Sequence, residues 1–398
     1  MSEASSERSI KKIVVCCDGT GNEITESNEK LSNVLKFFRC VQATRANKRQ
    51  IAFYHSGVGT VVRPNEWRRI LQAASAFFGL ATGYGFDDNV LIAYEFLIEN
   101  YQDGDEIFLF GFRRGAQTVR VLAALIHKIG LLQPEQRNLV GLGLRAYKQS
   151  GVQEGGFRFG RVLSTRWPTI RMIGVWDTVA SVIVPRRTLP YFPTLEANLA
   201  YTHTNPSVET FRQAIAIDER RRMFRLKTWD EAQWFERDRF KKTFENRQDV
   251  KQVWFAGVHA DVGGGGYKEE ESGLSKFPLL WMIDEAQQCG LEFCSKTVQL
   301  LTGQQMSEYA PPDISGQLHN SMTCCWKLLE YLPKWARYKE WPKRKSLFGF
   351  YLPAGEPRLI PEGSIVHRSV VSRMETMKYN PINLPLHYQV EPPQAKSS

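Results

Sequence analysis

No apolar run in the sequence approaches the roughly 18 residues that a membrane-spanning helix requires. The polar opening "MSEASSERSIKK" also lacks the apolar core of a secretory leader. The two absences lead to the expectation of a cytoplasmic protein, export of the whole chain by a dedicated machine aside. Cysteine is scarce and unpatterned: the seven residues at 16, 17, 40, 289, 294, 324 and 325 include no C-x-x-C pair, so free thiols are expected rather than a zinc site or a disulfide framework. No internal repeat and no low-complexity tract is visible. Acidic residues are outnumbered, 42 against 52 basic ones, which gives a net charge of +10 and a pI near 9.2. That balance favours anionic ligands or surfaces, with no nucleic-acid partner expected.

What is present is ordinary for a globular chain. Apolar residues make up 42% and charged residues 24% of 398 positions, enough for a large core, as one elaborated domain or a core with a cap. "KIVVCC" at 12 to 17 reads as a buried strand that runs straight into the turn-forming cluster Asp18, Gly19, Thr20, Gly21, Asn22. A second run starts at Ile51. From Asp87, the residues Val90, Tyr94, Leu97, Ile98 and Tyr101 share one helical face. "IFLFG" follows as a strand, and Val119, Leu122, Ala123, Ile126 and Ile129 form another helical stripe that stops at Gly130. Two further strand runs start at Arg171 and Val253. The alternation predicts a doubly wound, mostly parallel α/β sheet, whose strand ends gather polar residues on one edge.

Between the strand "IFLFG" and its helix lies Gly-Phe-Arg-Arg-Gly, 111 to 115, the frame of a nucleophile elbow. The central position of that frame ordinarily carries serine, and here it is Arg113. A guanidinium stays protonated and cannot attack an ester. Asp177 and His259 end two other strand runs, in the order elbow, acid, base that α/β-hydrolases use. In acyl transfer the imidazole takes the nucleophile's proton and the carboxylate holds its tautomer. Taken singly, an aspartate after a strand is ordinarily a turn former and a histidine near glycines ordinarily structural. Ser56 and Ser181 lie near the same edge but lack the strained turn that exposes a nucleophile. Asp18, His259 and Asp261 could be metal ligands, although His-x-Asp is a weak pattern; no metal and no cofactor is expected.

Together "VVCCDGTGN", "FLFGFRRGAQTVR", "GVWDTVAS" and "VWFAGVHADVGGGGY" resemble an α/β-hydrolase family that includes the catalytic domain of type VI secretion phospholipase effectors, over about residues 10 to 290. The resemblance implies ester or lipid hydrolysis by a Ser-Asp-His triad. Asp177 would be its acid, His259 its base and Arg113 would stand at the nucleophile position. Asp18, Gly19 and Thr20 would border the oxyanion pocket, and Arg114 matches the family's arginine. With Arg113 in place of serine, two functions stay open: a hydrolase whose activity is lost or rerouted, and a non-catalytic homologue that binds an anionic ligand or a protein in the old pocket. Arg113 would either receive an anion above the helix N-terminus or fold onto Asp177 or Asp18 as a plug. Four glycines, 263 to 266, suggest a shifted loop beside His259.

Beyond the hydrolase-like domain of 10 to 290, residues 291 to 384 read as a cap or extension and 385 to 398 as a flexible tail. Within the extension, 326 to 352 interleaves Trp326, Trp335, Trp341, Phe348 and Phe350 with Lys334, Arg337, Lys339, Lys343, Arg344 and Lys345. The mixture suits a membrane interface or a lid packed on the core, and Pro333 and Pro342 favour the lid. The apolar stretch from Arg63 to Gly85 could line an acyl pocket or form a core helix.

Overall fold

The alternating runs become one eight-stranded sheet in the computed structural model. It describes residues 10–19, 30–42, 49–57, 86–150, 155–163, 165–179, 183–184, 194–195, 199–237, 240, 244–303, 308–336 and 339–392. β1 (Lys12–Cys17), β2 (Gln50–His55), β3 (Glu106–Phe112), β4 (Ile170–Trp176), β5 (Val208–Ala216) and β6 (Asp249–Phe255) form the body of the sheet. β7 (Lys334–Trp335) and β8 (Phe350–Tyr351) make a separate hairpin, while β9 (Ile365–Val366) and β10 (Gln389–Val390) extend one edge of the sheet. The order is β10-β9-β6-β5-β4-β3-β1-β2, with every neighbouring pair parallel. The order reverses between β1 and β3, and a crevice opens at such a reversal, past the C-terminal ends of the strands.

Both faces of the sheet are covered, so its strands are apolar on both sides. Ile13, Val15 and Cys17 of β1 join a core with α2 (Phe86–Asn100) and α3 (Arg114–Ile129). Val14 and Cys16 face the opposite core, built with α1 (Asn33–Gln42) and α5 (Lys276–Gln288). The two helical stripes read from the sequence are buried at every named position. α4 (His259–Gly263) is one short turn after β6, and α6 (Cys324–Glu330) opens the region of the hairpin.

Two features depart from the sequence reading. β5 lies in the middle of the sheet although its sequence, VETFRQAIA, is half polar. Its Arg212 is buried in ion pairs with Glu285 and, at 2.6 Å, Asp249, which is how a central strand carries a guanidinium. The segment after Leu384, expected to be flexible, contributes β10 and the buried Glu391, because Gln389 and Val390 pair with β9. Among the described residues no helix is long and apolar enough to cross a membrane.

Candidate active site

β3 ends in the elbow. Arg113 sits at φ 55° and ψ −125°, a conformation that ordinary residues avoid, and α3 begins at the next residue. The sharpness of the turn explains its glycines. A Cβ on Gly115 would lie 2.0 Å from the carbonyl oxygen of Cys17, and one on Gly111 would lie 2.5 Å from the carbonyl oxygen of Gly115. Only hydrogen at both positions lets α3 start so close to β1 and β3.

Asp177 follows β4, also at positive φ, and is fully buried. His259 follows β6, and its Nδ1 lies 2.5 Å from Asp177 Oδ2. The four-glycine run therefore leaves His259 within reach of the acid. The imidazole is held between Phe112 and Phe224, at ring-centre distances of 4.7 and 4.9 Å. Its Nε2 is buried with no hydrogen-bond partner among the described residues, so no serine hydroxyl of those residues stands on it. Burial pushes the His259 pKa down to about 4 against the pull of Asp177, and the charges of Arg113 and Arg221 push the same way. At neutral pH the ring is uncharged. With Nδ1–H donated to Asp177, Nε2 presents a lone pair.

Arg113 does not plug the site by pairing with an acid. It is half-buried, its guanidinium lies 5.5 Å from the Phe112 ring centre, and among the described residues it makes no ion pair or hydrogen bond. Its stem packs on Gly19, where an added Cβ would come within 2.7 Å. Burial holds the Arg113 pKa below its ordinary value; Asp18 is close enough to oppose that, but its oxygens accept from Ser32 Oγ, from Tyr54 Oη at 3.0 Å and from its neighbour Gly19 N at 2.7 Å. Arg114 is half-buried at the start of α3 and Thr20 lies outside the described residues, as do Ser181 and the stretch from Arg63 to Gly85. Asp261 turns away to His319, 2.6 Å from Nδ1. Among the described residues no three His, Cys, Asp or Glu side chains converge as metal ligands.

Three site residues escaped the sequence reading. Arg358, from the C-terminal extension, holds both oxygens of Asp177, at 2.5 and 3.0 Å. Burial alone would raise the Asp177 pKa, but Arg358 and then His259 carry it far below the usual carboxylate range. Glu219, fully buried past β5, accepts from Arg221 Nε and Nη2 at 2.9 and 2.8 Å and from His259 N at 3.3 Å. Arg221 also stacks on Phe224, 3.6 Å from the ring centre. The run "IDERRR" after a buried strand was the available signal for Glu219 and Arg221.

A parallel sheet that gathers an elbow residue, an acid and a histidine on its C-terminal edge defines an α/β-hydrolase-fold protein. The chain belongs to the family described as type VI secretion (T6SS) phospholipase effector Tle1-like, catalytic domain, whose model matches residues 11–285. An uncharacterized protein of Saccharomyces cerevisiae is 27% identical over 237 residues, which are 56% of this chain. The chain spans only 33% of that relative's length. Among solved structures, an uncharacterized protein from Pseudomonas aeruginosa aligns with 16% identity and a TM-score of 0.38, over 73% of this chain and 47% of that one. The Tle1 effector bound to the VgrG spike of the type 6 secretion system aligns with 19% identity and a TM-score of 0.31, over 67% and 53%. Thermogutta terrifontis esterase 2 aligns with 13% identity and a TM-score of 0.33, over 71% and 84%. With scores this low, the fold assignment rests on the sheet itself.

Proposed function

We propose that the pocket binds an anionic ligand and does not hydrolyse esters. The observation that carries this reading is Arg113: a cation at the elbow that makes no ion pair or hydrogen bond among the described residues, its nearby acid Asp18 being engaged with Ser32, Tyr54 and Gly19, beside an imidazole whose Nε2 has no partner among them. Two other guanidiniums of the site are already matched, Arg358 to Asp177 and Arg221 to Glu219. Arg113, with Arg114 beside it, is therefore left to receive an anionic oxygen. The His259 Nε2 lone pair repels a bare anion and accepts a hydrogen bond from a protonated one. A phosphate or carboxylate ligand therefore enters with a proton, either its own or one taken up by His259. Binding should strengthen as pH falls toward the His259 pKa of about 4.

The experiment is thermal unfolding with and without inorganic phosphate. Phosphate is expected to raise Tm, more at pH 5.5 than at pH 8, by the mass-action stabilisation of any ligand bound only to the native state. Arg113→Ala should remove the shift. The competing reading is ester hydrolysis through Asp177 and His259 with a replacement nucleophile. It requires rapid, stoichiometric labelling by a serine-reactive fluorophosphonate. Labelling with no phosphate shift would overturn the proposal.

A further inference from the structure

The basic, aromatic segment singled out in the sequence divides in the structure. Trp326, half-buried, meets Phe224 edge-on at 5.7 Å, and Trp341 donates its indole N–H to the carbonyl oxygen of Pro357 at 2.7 Å. These two rings belong to packing. The tight turn that leads into β8 does not. Leu347 and Phe350 exchange backbone hydrogen bonds of 2.8 and 2.9 Å around a two-residue turn, Phe348-Gly349, with φ of 49° and 79°. Turns with both central residues at positive φ favour Asn-Gly, and a bulky ring in the first position is strained. Phe348 nevertheless occupies it and is 90% exposed, beside Leu347 at 72%. Local folding does not explain that ring, since it packs on no ring among the described residues and opposes its own turn.

From this exposed turn, or tip, and its flanks we infer that this end of the molecule inserts into the headgroup region of an anionic phospholipid bilayer. Residues 324 to 352 carry seven basic and two acidic residues, a net +5 and half of the chain's +10. Lys343 and Lys345 are exposed just before the tip, and Leu328 of α6 is 71% exposed. Apolar side chains ringed by lysines are what a negatively charged interface recruits, the rings at headgroup depth and the ammonium groups at the phosphates. A projecting tip of two residues offers too little area for a stable protein interface, which takes about 800 Å² from each partner.

The hairpin is also tied to the pocket. Arg225 Nη2 donates to Tyr351 Oη at 2.8 Å, Arg222 N donates to the Glu330 carboxylate at 2.7 Å, and Phe224 between them touches His259. The tip lies outside the family-matched residues 11–285, so this is a property of the chain's own extension. It does not depend on what the pocket does.

The test is sedimentation with vesicles of phosphatidylcholine alone and of phosphatidylcholine with phosphatidylserine, using the full chain. The expected result is binding to the phosphatidylserine vesicles, reduced about tenfold in Phe348→Asn and in Lys343→Glu/Lys345→Glu. Asn suits the left-handed turn, so Phe348→Asn should melt no lower than wild type, which separates lipid contact from folding. Wild-type protein that stays in the supernatant with both vesicle types overturns the inference, and so does equal binding by wild type and Phe348→Asn. If Phe348→Asn instead abolishes concentration-dependent self-association, with vesicle binding unchanged, the tip is an interface between copies and the lipid role is lost.

Discussion

Replacing Arg113 by serine tests whether the elbow, acid and histidine still form a working set. Serine needs no new backbone geometry, because Arg113 already holds φ 55° and ψ −125° at the head of α3. It would face a site whose Asp177–His259 contact of 2.5 Å is in place. In a serine protease, losing the nucleophile costs on the order of 10⁶ in turnover, and only about 10³ to 10⁴ over water survives. Two features lower the ceiling here. Arg358 neutralises the carboxylate that should steady an imidazolium, and disabling that carboxylate in a protease costs about 10⁴. His259, at a pKa of about 4, is a weak base at neutral pH, although removing the Arg113 charge moves it upward. A gain of about 10² over wild type on short p-nitrophenyl esters is therefore the expected order, the surviving part of a 10⁶ effect after an acid penalty of 10⁴. The rate should rise with pH as His259 deprotonates, and His259→Ala in the same background should cancel the gain. A folded Arg113→Ser protein that neither turns over esters nor takes up fluorophosphonate would refute the argument that serine is the one missing part.

Two further outcomes concern stability. The His259 pKa falls from about 6.5 unfolded to about 4 folded, so its contribution is fully present above pH 6.5 and is lost as pH falls toward 4, to a total of about 3 kcal/mol. His367, also held near 4 by burial, loses stability in the same window; urea unfolding from pH 7 to 4 should therefore show a shallower decline in His259→Gln, and an identical slope would contradict the buried, neutral imidazole. Arg358→Met leaves the Asp177 carboxylate buried with His259 as its remaining side-chain partner, and should cost about 3 to 5 kcal/mol in the same assay at pH 7. A loss under 1 kcal/mol would mean that the pair is not what carries Asp177.

What could be read from the sequence was what local chemistry dictates. β1, β3 and their helices follow from apolar runs and 3.6-residue stripes, and the elbow follows from two glycines whose spacing answers to a backbone contact. β5 was not legible, because its period is broken by Arg212 and Gln213, and the acids that make Arg212 tolerable lie at 249 and 285. The seating of residues 389–390 was hidden for a related reason: a two-residue strand has no period, and its place depends on the edge that β9 offers.

Arg358 is the instructive case. It lies 181 residues from Asp177, in "GEPRLIPEG", where nothing local marks it as part of a site. Its necessity could still have been found by counting. A carboxylate sealed from water has about four acceptor sites, and an imidazole can fill one of them. In the structure the Ala216 amide fills a second at 3.0 Å. An acid buried past the end of a central strand therefore calls for another donor, and a buried negative charge calls for a cation. The sequence cannot say which of its arginines answers that demand. Chain folding selects it, by bringing the extension beyond residue 285 back over the strand ends.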